Sequence, residues 1–334
     1  MSTELQIASF FAGVGGIDIA FEMAGAEVIY ANEYDQYAVQ TYENNFNMQV
    51  DHRDINDVQA SEVPDHDVML GGFPCQAFSI AGHRQGFLDE KGRGNLFFEM
   101  ERLFEEKKPS IIFLENVKNL VGHDNGNTFR IITERLEEAG YHVKYQVMNA
   151  KDYGNVPQNR ERIYIVAFRD VRQYQLFDFP KPIPLTRTLR DVIDFENEQE
   201  ERYYYTKEKY AFYDMLDAEM TNRDSVYQWR RVYVRENKSG VSPTLTANMG
   251  TGGHNVPLIR TDDGRIRKLT PRECFNLQGY PSNYRLPENI SNTRLYKQAG
   301  NSVVVPVIRR IAENIMVAVE ATERATVATA LNEQ

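Results

Sequence analysis

The first half of the chain alternates short apolar runs, rich in β-branched and aromatic residues, with segments of helical periodicity. Such alternation is typical of an α/β fold, in which a mostly parallel sheet is covered by helices on both faces. In sheets of this kind, ligands bind at the carboxyl ends of the strands. Polar and glycine residues that follow the strands are therefore the first candidates for a site. The strand candidates are Leu5 to Phe11, Glu27 to Ala31, Val68 to Leu70, Ser110 to Leu114 and Arg162 to Phe168, and the helix candidates are Ile17 to Ala24 and Leu96 to Lys107.

The composition is that of an ordinary globular protein. The 334 residues are 42% hydrophobic and 26% charged, which excludes collagen, mucin and intrinsic disorder. Length predicts about two domains, or one large domain with an insertion. Cys75 and Cys274 are the only cysteines, so a disulfide scaffold is excluded and a reducing compartment is favoured. No apolar run approaches the roughly 20 residues of a membrane helix, and the N-terminus lacks a secretory pattern, so we expect a cytoplasmic protein without membrane association.

The second half of the chain differs from the first in pattern and in charge. Lys181-Pro-Ile-Pro184 has the composition of a linker. The helical pattern returns from Val303 to about Ala321, and the last dozen residues are expected to fray. The net charge of the whole chain is −10, yet the segment from Thr221 to Thr270 holds nine basic and four acidic residues. The whole-chain charge argues against nucleic-acid binding and a local basic face argues for it, so charge alone does not decide.

The first strand candidate leads into a glycine turn, Phe10-Phe11-Ala12-Gly13-Val14-Gly15-Gly16. Glycines between a strand and a helix let the backbone turn tightly and approach a ligand closely. The dinucleotide-binding pattern is incomplete, because Asp18 replaces its third glycine. Glu33 follows the next strand, where a carboxylate can accept both ribose hydroxyls, and Asp54-Ile55 would add an acceptor and an apolar wall for adenine. A nucleoside cofactor without a pyrophosphate, such as S-adenosylmethionine, fits best; an ordinary strand–turn–helix is the alternative.

Cys75 lies in a loop directly after the third strand candidate, within Gly72-Phe73-Pro74-Cys75-Gln76. A thiolate is a strong nucleophile, which makes Cys75 a candidate for covalent catalysis. A lone cysteine is more often a small buried hydrophobic residue. A cysteine–histidine protease is a formal rival, although His83, the nearest histidine, has no defined geometry toward the thiol.

Two further motifs place charged residues at the ends of strands. Partial burial of Glu115 would raise its pKa and suit a donor of a proton or hydrogen bond, with a helix cap or a salt bridge as the alternative. Arg160 and Arg162 point the same way along an extended run and could hold a carboxylate, a phosphate or a base edge. No two histidines have zinc-ligand spacing and there is no Cys-x-x-Cys, so no metal site is expected.

Taken together, these motifs resemble those of the cytosine-5 DNA methyltransferases. The resemblance covers most of the chain and keeps the family's order of blocks, which is far more specific than any single motif. It implies a Rossmann-like S-adenosylmethionine-dependent methyltransferase fold with a small inserted target-recognition domain. The matching segments are Phe11 to Gly16 (cofactor loop), Gly72 to Gln76 (nucleophile loop), Glu115 to Val117 (catalytic acid), Gln158 to Arg162 (arginine motif), Arg267 to Cys274 with Gln278 to Pro281 (ninth block) and Lys297 to Val303 (tenth block).

The resemblance also implies roles for individual residues. Cys75 would add to C6 of a cytosine flipped out of duplex DNA, and Glu115 would contact N3 and the exocyclic amine of that base. Arg162, together with Arg160, would hold the base O2 and the active-site loop. The methyl group would come from S-adenosyl-L-methionine, leaving S-adenosyl-L-homocysteine. The cofactor would be lined by Phe11, Gly13, Gly15, Gly16, Glu33, Tyr34, Asp54, Ile55, Pro74, Leu96, Asn301 and Val303, and DNA would be contacted by Gln76, Ser79, Arg84, Arg93, Arg230, Arg231, Thr244 and Thr246.

The same resemblance divides the chain. Residues 1–183 and 299–334 would form a discontinuous catalytic domain, 184–270 a target-recognition domain, and 271–298 a hinge. The expected partner is double-stranded DNA carrying a short site, of which a GGCC or GGNCC palindrome is our guess. A cognate restriction endonuclease would act separately, and a monomer from a bacterium or a phage is expected.

Three rival functions stay open at this point. A branch of the family methylates tRNA with the same motifs, although the sizeable basic insertion favours DNA. An oxidoreductase that uses a dinucleotide would need the glycine that Asp18 replaces. A DNA-binding relative without catalysis would leave Cys75, Glu115 and Arg162 unexplained.

Overall fold

The computed structural model describes residues 4–74 and 96–332. Within these residues the larger of two sheets has six strands. The spatial order is β2-β1-β3-β4-β6-β5. The first four strands in this order are parallel, and β6 runs antiparallel to both of its neighbours. The predicted α/β class with a mostly parallel sheet is therefore confirmed. The strands are β1 (Gln6–Phe10), β2 (Glu27–Asn32), β3 (Val68–Gly71), β4 (Ile111–Val117), β5 (His142–Asn149) and β6 (Glu161–Phe168).

Helices cover both faces of this sheet because successive side chains of each central strand point to opposite sides. In β4, Ile111 and Phe113 pack with one apolar core, and Ile112 and Leu114 pack with another. The first core is closed by helices α1 and α10, and the second by α3 and α4. The helices are α1 (Gly16–Glu22), α2 (Gln36–Glu43), α3 (Leu96–Lys107), α4 (Asn127–Glu138), α5 (Ala150–Tyr153), α6 (Val171–Leu176), α7 (Tyr213–Glu219), α8 (Pro271–Leu277), α9 (Asn292–Asn301) and α10 (Val305–Asn332).

A second, antiparallel sheet of five short strands lies within residues 204–268. Its apolar side packs as a separate small cluster that includes Leu216, Tyr227 and Ile266. The sheet falls inside the segment expected to recognise the target, and the division of the chain into domains stays a prediction. Its strands are β7 (Tyr204–Tyr205), β8 (Tyr227–Trp229), β9 (Val234–Glu236), β10 (Leu258–Arg260) and β11 (Ile266–Lys268), in the order β7-β11-β10-β8-β9.

Two features of the fold differ from the sequence-based expectation. Strand β5 was not predicted, because it lies at the edge of the sheet and its mixed polar residues are mostly half-exposed. The last helix, expected to end near Ala321, continues to Asn332. Its final turns are rich in alanine and contain neither glycine nor proline, so helix propensity carries it beyond the point where it leaves the core. Within the part of the chain that the structure describes, no helix is both long and apolar enough to span a membrane.

A buried ion pair ties the second sheet to the rest of the molecule. Arg267, at the centre of β11, is fully buried and donates to both carboxylate oxygens of Glu273 in α8, at 2.7 and 2.8 Å. The same carboxylate accepts from the backbone N–H of Asp194 at 2.9 Å and of Thr270 at 2.7 Å. Arg267 also donates to the carbonyl oxygen of Asp194. The loop at Asp194, strand β11 and the start of α8 thus meet at one buried charge pair.

We expect Glu273→Gln to lower the free energy of unfolding by about 3–5 kcal/mol, because it leaves a buried guanidinium without its counter-charge. Urea unfolding followed by circular dichroism measures the loss. Glu134→Gln is the matched control, since Glu134 pairs with Arg130 at 2.7 Å on the exposed face of α4, where a pair contributes about 0–1 kcal/mol. Similar small losses in both variants would contradict the structural role given to Arg267 and Glu273.

Candidate active site

The glycine turn after β1 is built from residues with positive φ. Phe11, Gly13 and Gly15 have φ of 53°, 58° and 77°, values that favour glycine at the last two positions. The N–H of Gly15 closes the turn on the carbonyl of Ala12 at 2.8 Å. A Cβ at position 15 would lie 2.2 Å from the ring of Phe46. At Gly15 the backbone conformation disfavours a larger residue, and the ring of Phe46 leaves no space for one.

Glu33 links the end of β2 to the glycine turn. Its Oε2 accepts from the N–H of Gly13 at 2.8 Å, and its Oε1 accepts from the N–H of Asp35 at 2.7 Å. Burial raises the pKa of Glu33, and these two backbone donors oppose that shift. Each carboxylate oxygen retains a further lone pair, so Glu33 can still accept from a ligand.

The chain that follows α2 brings a third segment to the same edge of the sheet. Asp51 pairs with the end of β2, where the side chain of Asn32 donates to the carbonyls of Asp51 and Arg53, both at 2.9 Å. Asp54 then caps a short 3-10 turn and Ile55 is buried in the core. Tyr34, predicted to line the cofactor, is 72% exposed.

The C-terminal segment folds back against the glycine turn. A Cβ on Gly16 would lie 2.5 Å from the hydroxyl of Tyr280 and 2.8 Å from the side chain of Val303. Tyr284 donates to the carbonyl of Val14 at 2.7 Å. Asn301, the last residue of α9, is exposed just before this contact. Tyr280 and Tyr284, which no sequence pattern assigns to this site, thus hold the turn from the side of α8.

The nucleophile loop is described only at its two ends. Pro74, the last described residue before the gap, is exposed, and Leu96, the first after it, is partly buried against the core. Five predicted residues lie outside the described part of the chain, namely Cys75, Gln76, Ser79, Arg84 and Arg93.

Glu115 and Arg162 form a pair across the antiparallel strands β4 and β6. Glu115 is buried, and the Nε of Arg162 lies 3.0 Å from its Oε1. Burial raises the pKa of Glu115, while the charges of Arg162 and Arg160 oppose that shift. Oε1 makes no aligned hydrogen bond with any described residue. The carboxyl group is therefore held in place and still has hydrogen-bonding capacity for a ligand.

Asn116 connects this pair to the nucleophile loop. Its side-chain amide donates to the carbonyl of Phe73 at 2.8 Å, and its Oδ1 accepts from the N–H of Val117 at 2.9 Å. The residue is buried. It therefore fixes the backbone two residues before Cys75, a role that its motif did not reveal.

Arg160 makes its side-chain hydrogen bonds to backbone carbonyls rather than to Glu115. Its guanidinium donates to the carbonyls of Leu245 at 2.9 Å, Gly300 at 3.2 Å, and Ser302. Burial lowers its pKa to about 9. These contacts brace the segment after β9 against the end of α9, and contact between Arg160 and a base stays a prediction.

The predicted DNA-binding residues that the structure describes occupy two places. Thr244 donates to the carbonyl of Asn159 at 2.6 Å, and Thr246 donates to Asn248 at 2.7 Å. Arg230 and Arg231 lie in the turn between β8 and β9, where Arg230 donates to Gln228 at 2.8 Å and Arg231 is exposed. A role in DNA binding stays a prediction for these four residues.

The chemistry of the described site is that of carboxylates, an arginine and backbone N–H groups. Across residues 4–74 and 96–332, no group of three or more His, Cys, Asp and Glu side chains could hold a metal ion. Cys274 is a free, fully buried thiol whose pKa is raised by burial, as expected of a packing residue.

Comparison with known proteins places the chain in a family. The family model of the C-5 cytosine-specific DNA methylases matches residues 5–317. The chain is 64% identical to the type II methyltransferase M.Bsp6I of Bacillus sp. strain RFL6, over 93% of this chain and 98% of that protein. It is 40% identical to the type II methyltransferase M.HhaI of Haemophilus parahaemolyticus, over 94% of each.

Solved structures show the same fold at low sequence identity. A variant of the Spodoptera frugiperda DNMT2 superposes with a TM-score of 0.73 at 21% identity, covering 93% of this chain and 99% of that one. A putative DNA modification methyltransferase encoded within a prophage of E. coli superposes with a TM-score of 0.68 at 21% identity, covering 95% and 100%. With the family model and the relatives matched over almost its full length, the chain belongs to the C-5 cytosine-specific DNA methylase family.

Proposed function

We propose that this DNA cytosine-5 methyltransferase acts through a covalent bond between Cys75 Sγ and C6 of a cytosine flipped out of duplex DNA. The observation that carries the proposal is the link from Asn116 to the carbonyl of Phe73 at 2.8 Å. It couples the strand that bears Glu115 to the segment that leads into Cys75. The acid and the nucleophile would therefore be held on the same small part of the structure.

The residue types suit the chemistry of cytosine. C5 is a poor nucleophile until a thiolate adds to C6, because the addition breaks the aromatic ring and leaves an enamine-like carbon. Cys75 would supply that thiolate and leave again when the C5 proton is lost. The target atoms are inaccessible inside a duplex, so the base must leave the stack.

Glu115 would stabilise the ring while the adduct exists. Because burial raises the pKa of its carboxyl group, Glu115 can hold a proton against N3 and contact the exocyclic amine. Arg162, 3.0 Å away, would orient the carboxyl group and hold the base O2. Arg160 would support both by bracing the backbone around them.

The glycine turn and its neighbours would hold S-adenosyl-L-methionine, which supplies the methyl group and leaves as S-adenosyl-L-homocysteine. A Cβ on Gly13 would meet only the carbonyl of Phe11, at 3.9 Å, among the described residues. This open side of the turn fits a ligand that approaches the backbone. Glu33 would accept the ribose hydroxyls, and Asp54 and Ile55 would flank the adenine. The remaining shell would be Phe11, Gly15, Gly16, Tyr34, Pro74, Leu96, Asn301 and Val303.

Double-stranded DNA would lie along the second sheet and the nucleophile loop. The basic residues concentrated between Thr221 and Thr270 would contact phosphates, and side chains of this region would read bases in the major groove. Both relatives described above are named type II methyltransferases. This supports protection of DNA from a cognate restriction endonuclease. The enzyme would act in the cytoplasm and as a monomer.

The first experiment is transfer of labelled methyl groups from S-adenosyl-L-methionine to unmethylated duplex DNA and, separately, to tRNA. We expect labelling of duplex DNA only, its loss in Cys75→Ala, and protection of cytosine at one recurring short site in bisulfite sequencing. Transfer to tRNA alone would show that the substrate is RNA and not DNA. Full activity of Cys75→Ala would overturn the covalent mechanism.

Glu115→Gln is expected to lower kcat about 10²- to 10⁴-fold, because the amide cannot hold the proton at N3. Single-turnover methyl transfer on saturating duplex measures the change. The raised pKa gives the sign of the pH dependence: wild-type turnover falls as the pH rises above that pKa and Glu115 ionises, and Glu115→Gln lacks this decline.

Glu101→Gln is the control for this substitution. Glu101 is also a mostly buried carboxyl group in α3, where burial raises its pKa to about 6 and Arg135 lies 3.8 Å away. We expect wild-type kcat and pH profile for Glu101→Gln. Equal losses in the two variants would show that general destabilisation, rather than proton donation by Glu115, explains the effect.

Gly15→Ala is expected to weaken the binding of S-adenosyl-L-homocysteine about 10-fold or more, because overpacking against Phe46 costs about 1–3 kcal/mol. Isothermal titration calorimetry measures this affinity. Gly25→Ala is the control: its φ is 97°, but its Cβ would meet no described atom within 4 Å. Comparable losses in both variants would assign the effect to backbone strain alone.

A further inference from the structure

A buried carboxylate lies behind the glycine turn. Asp18, in the first turn of α1, is fully buried. Its Oδ1 accepts from the hydroxyl of Ser9 at 2.7 Å, and its Oδ2 accepts from the hydroxyl of Tyr42 at 2.6 Å. Ser9 and Tyr42 are also buried. Both oxygens of one carboxylate are therefore held by neutral hydroxyl donors inside the protein.

The three residues join the elements that frame the proposed cofactor site. Ser9 lies in β1, two residues before Phe11, and Asp18 follows Gly16 by two residues in α1. Tyr42 lies in α2, the helix that begins just after Glu33 and Tyr34. A change at Asp18 would therefore affect β1 and α1 on one side of the site and α2 on the other.

A chain of contacts runs from Asp18 back to the turn itself. The ring of Tyr42 stacks on that of Phe46, with centroids 4.1 Å apart and planes 17° from parallel. Phe46 in turn occupies the space that a Cβ on Gly15 would need. The hydrogen bond from Tyr42 to Asp18 thus fixes the aromatic ring that limits the position of Gly15.

The surroundings of Asp18 disfavour the charged form of its carboxyl group. Burial raises its pKa to about 6, and the two hydroxyl donors oppose that shift. The titratable groups that face it are Glu22 on its own helix, Tyr42 on α2, and Tyr280 and Tyr284 after α8. None of these four is a cation. A buried carboxyl group of this kind beside a ligand site is a candidate for a functional role.

We propose that Asp18, through Ser9 and Tyr42, is a positioning residue that keeps the glycine turn in the shape that binds S-adenosyl-L-methionine. The inference rests on the proposed function. A carboxylate can accept from both hydroxyls at once. An asparagine would place an N–H donor against one of them, so that hydroxyl must turn away. For Tyr42 the alternative acceptor is the sulfur of Met48 at 3.7 Å, a weak one.

The decisive variant is Asp18→Asn, which keeps the shape of the side chain and removes its charge. We expect the Kd for S-adenosyl-L-homocysteine, measured by calorimetry at pH 7.5, to rise about 10-fold, the effect of losing one hydrogen bond to a charged group. The KM for S-adenosyl-L-methionine should rise in parallel, with kcat on saturating cofactor and DNA changed less than about twofold. The melting temperature should not fall, because the substitution removes a buried charge.

Two further measurements make the test independent of this one variant. Tyr42→Phe keeps the stacked ring and removes one donor, so we expect a smaller loss of affinity. In the wild type, the affinity for S-adenosyl-L-homocysteine should fall as the pH drops through about 6. Protonated Asp18, like asparagine, presents a donor to one of the two hydroxyls and can no longer accept from both. This fall should be smaller in Asp18→Asn, in which Glu33 is left as a buried carboxyl group of the proposed site.

Tyr141→Phe is the control. It removes a buried tyrosine hydroxyl that donates to the carbonyl of Pro109 at 2.8 Å, outside the proposed cofactor shell, and should leave the Kd unchanged. Wild-type affinity in Asp18→Asn and Tyr42→Phe would overturn the inference, as would equal losses in Tyr42→Phe and Tyr141→Phe. A wild-type protein that does not bind S-adenosyl-L-homocysteine would instead overturn the proposed function.

Discussion

The tight backbone turn after β1 is the constraint on which the rest of the structure depends. Three of its residues have positive φ, and its two crowded glycines, Gly15 and Gly16, are contacted by different parts of the chain. Phe46, three residues after α2, supplies the aromatic ring behind the first, and Tyr280 and Val303 pack on the second. Neither contact is possible with a larger residue, so the turn determines how closely the two ends of the chain approach each other.

The middle strands provide the second organising element. β4 carries Glu115 and Asn116 side by side, one facing the guanidinium of Arg162 and the other holding the carbonyl of Phe73. Alternation along a strand sends neighbouring side chains in opposite directions. One short strand can therefore present an acid and also anchor the loop of the neighbouring strand β3, without any additional element.

Motifs at strand ends could be predicted from the sequence because their local pattern reflects their structure. The glycine turn, Glu33 after β2 and Glu115 at the end of β4 all have recognisable neighbours in sequence. Contacts between distant segments had no such pattern. In the sequence Asp18 stands out only as the residue in place of a third glycine, and its partners Ser9 and Tyr42 lie on other elements. The acceptors of Arg160 lie 85 to 142 residues away, which no local periodicity reveals, and the polar edge strand β5 resembles a loop.

The joint at Gly300 has a consequence for how such a chain can diversify. A Cβ at this position would lie 2.2 Å from the carbonyl carbon of Thr246, so two backbones touch there without side chains between them. Sequence on the second sheet can drift while this joint stays the same, because the joint depends on main-chain atoms and on Arg160. Changes in the surface chemistry of that sheet therefore leave the contact between α9 and the segment after β9 unaltered.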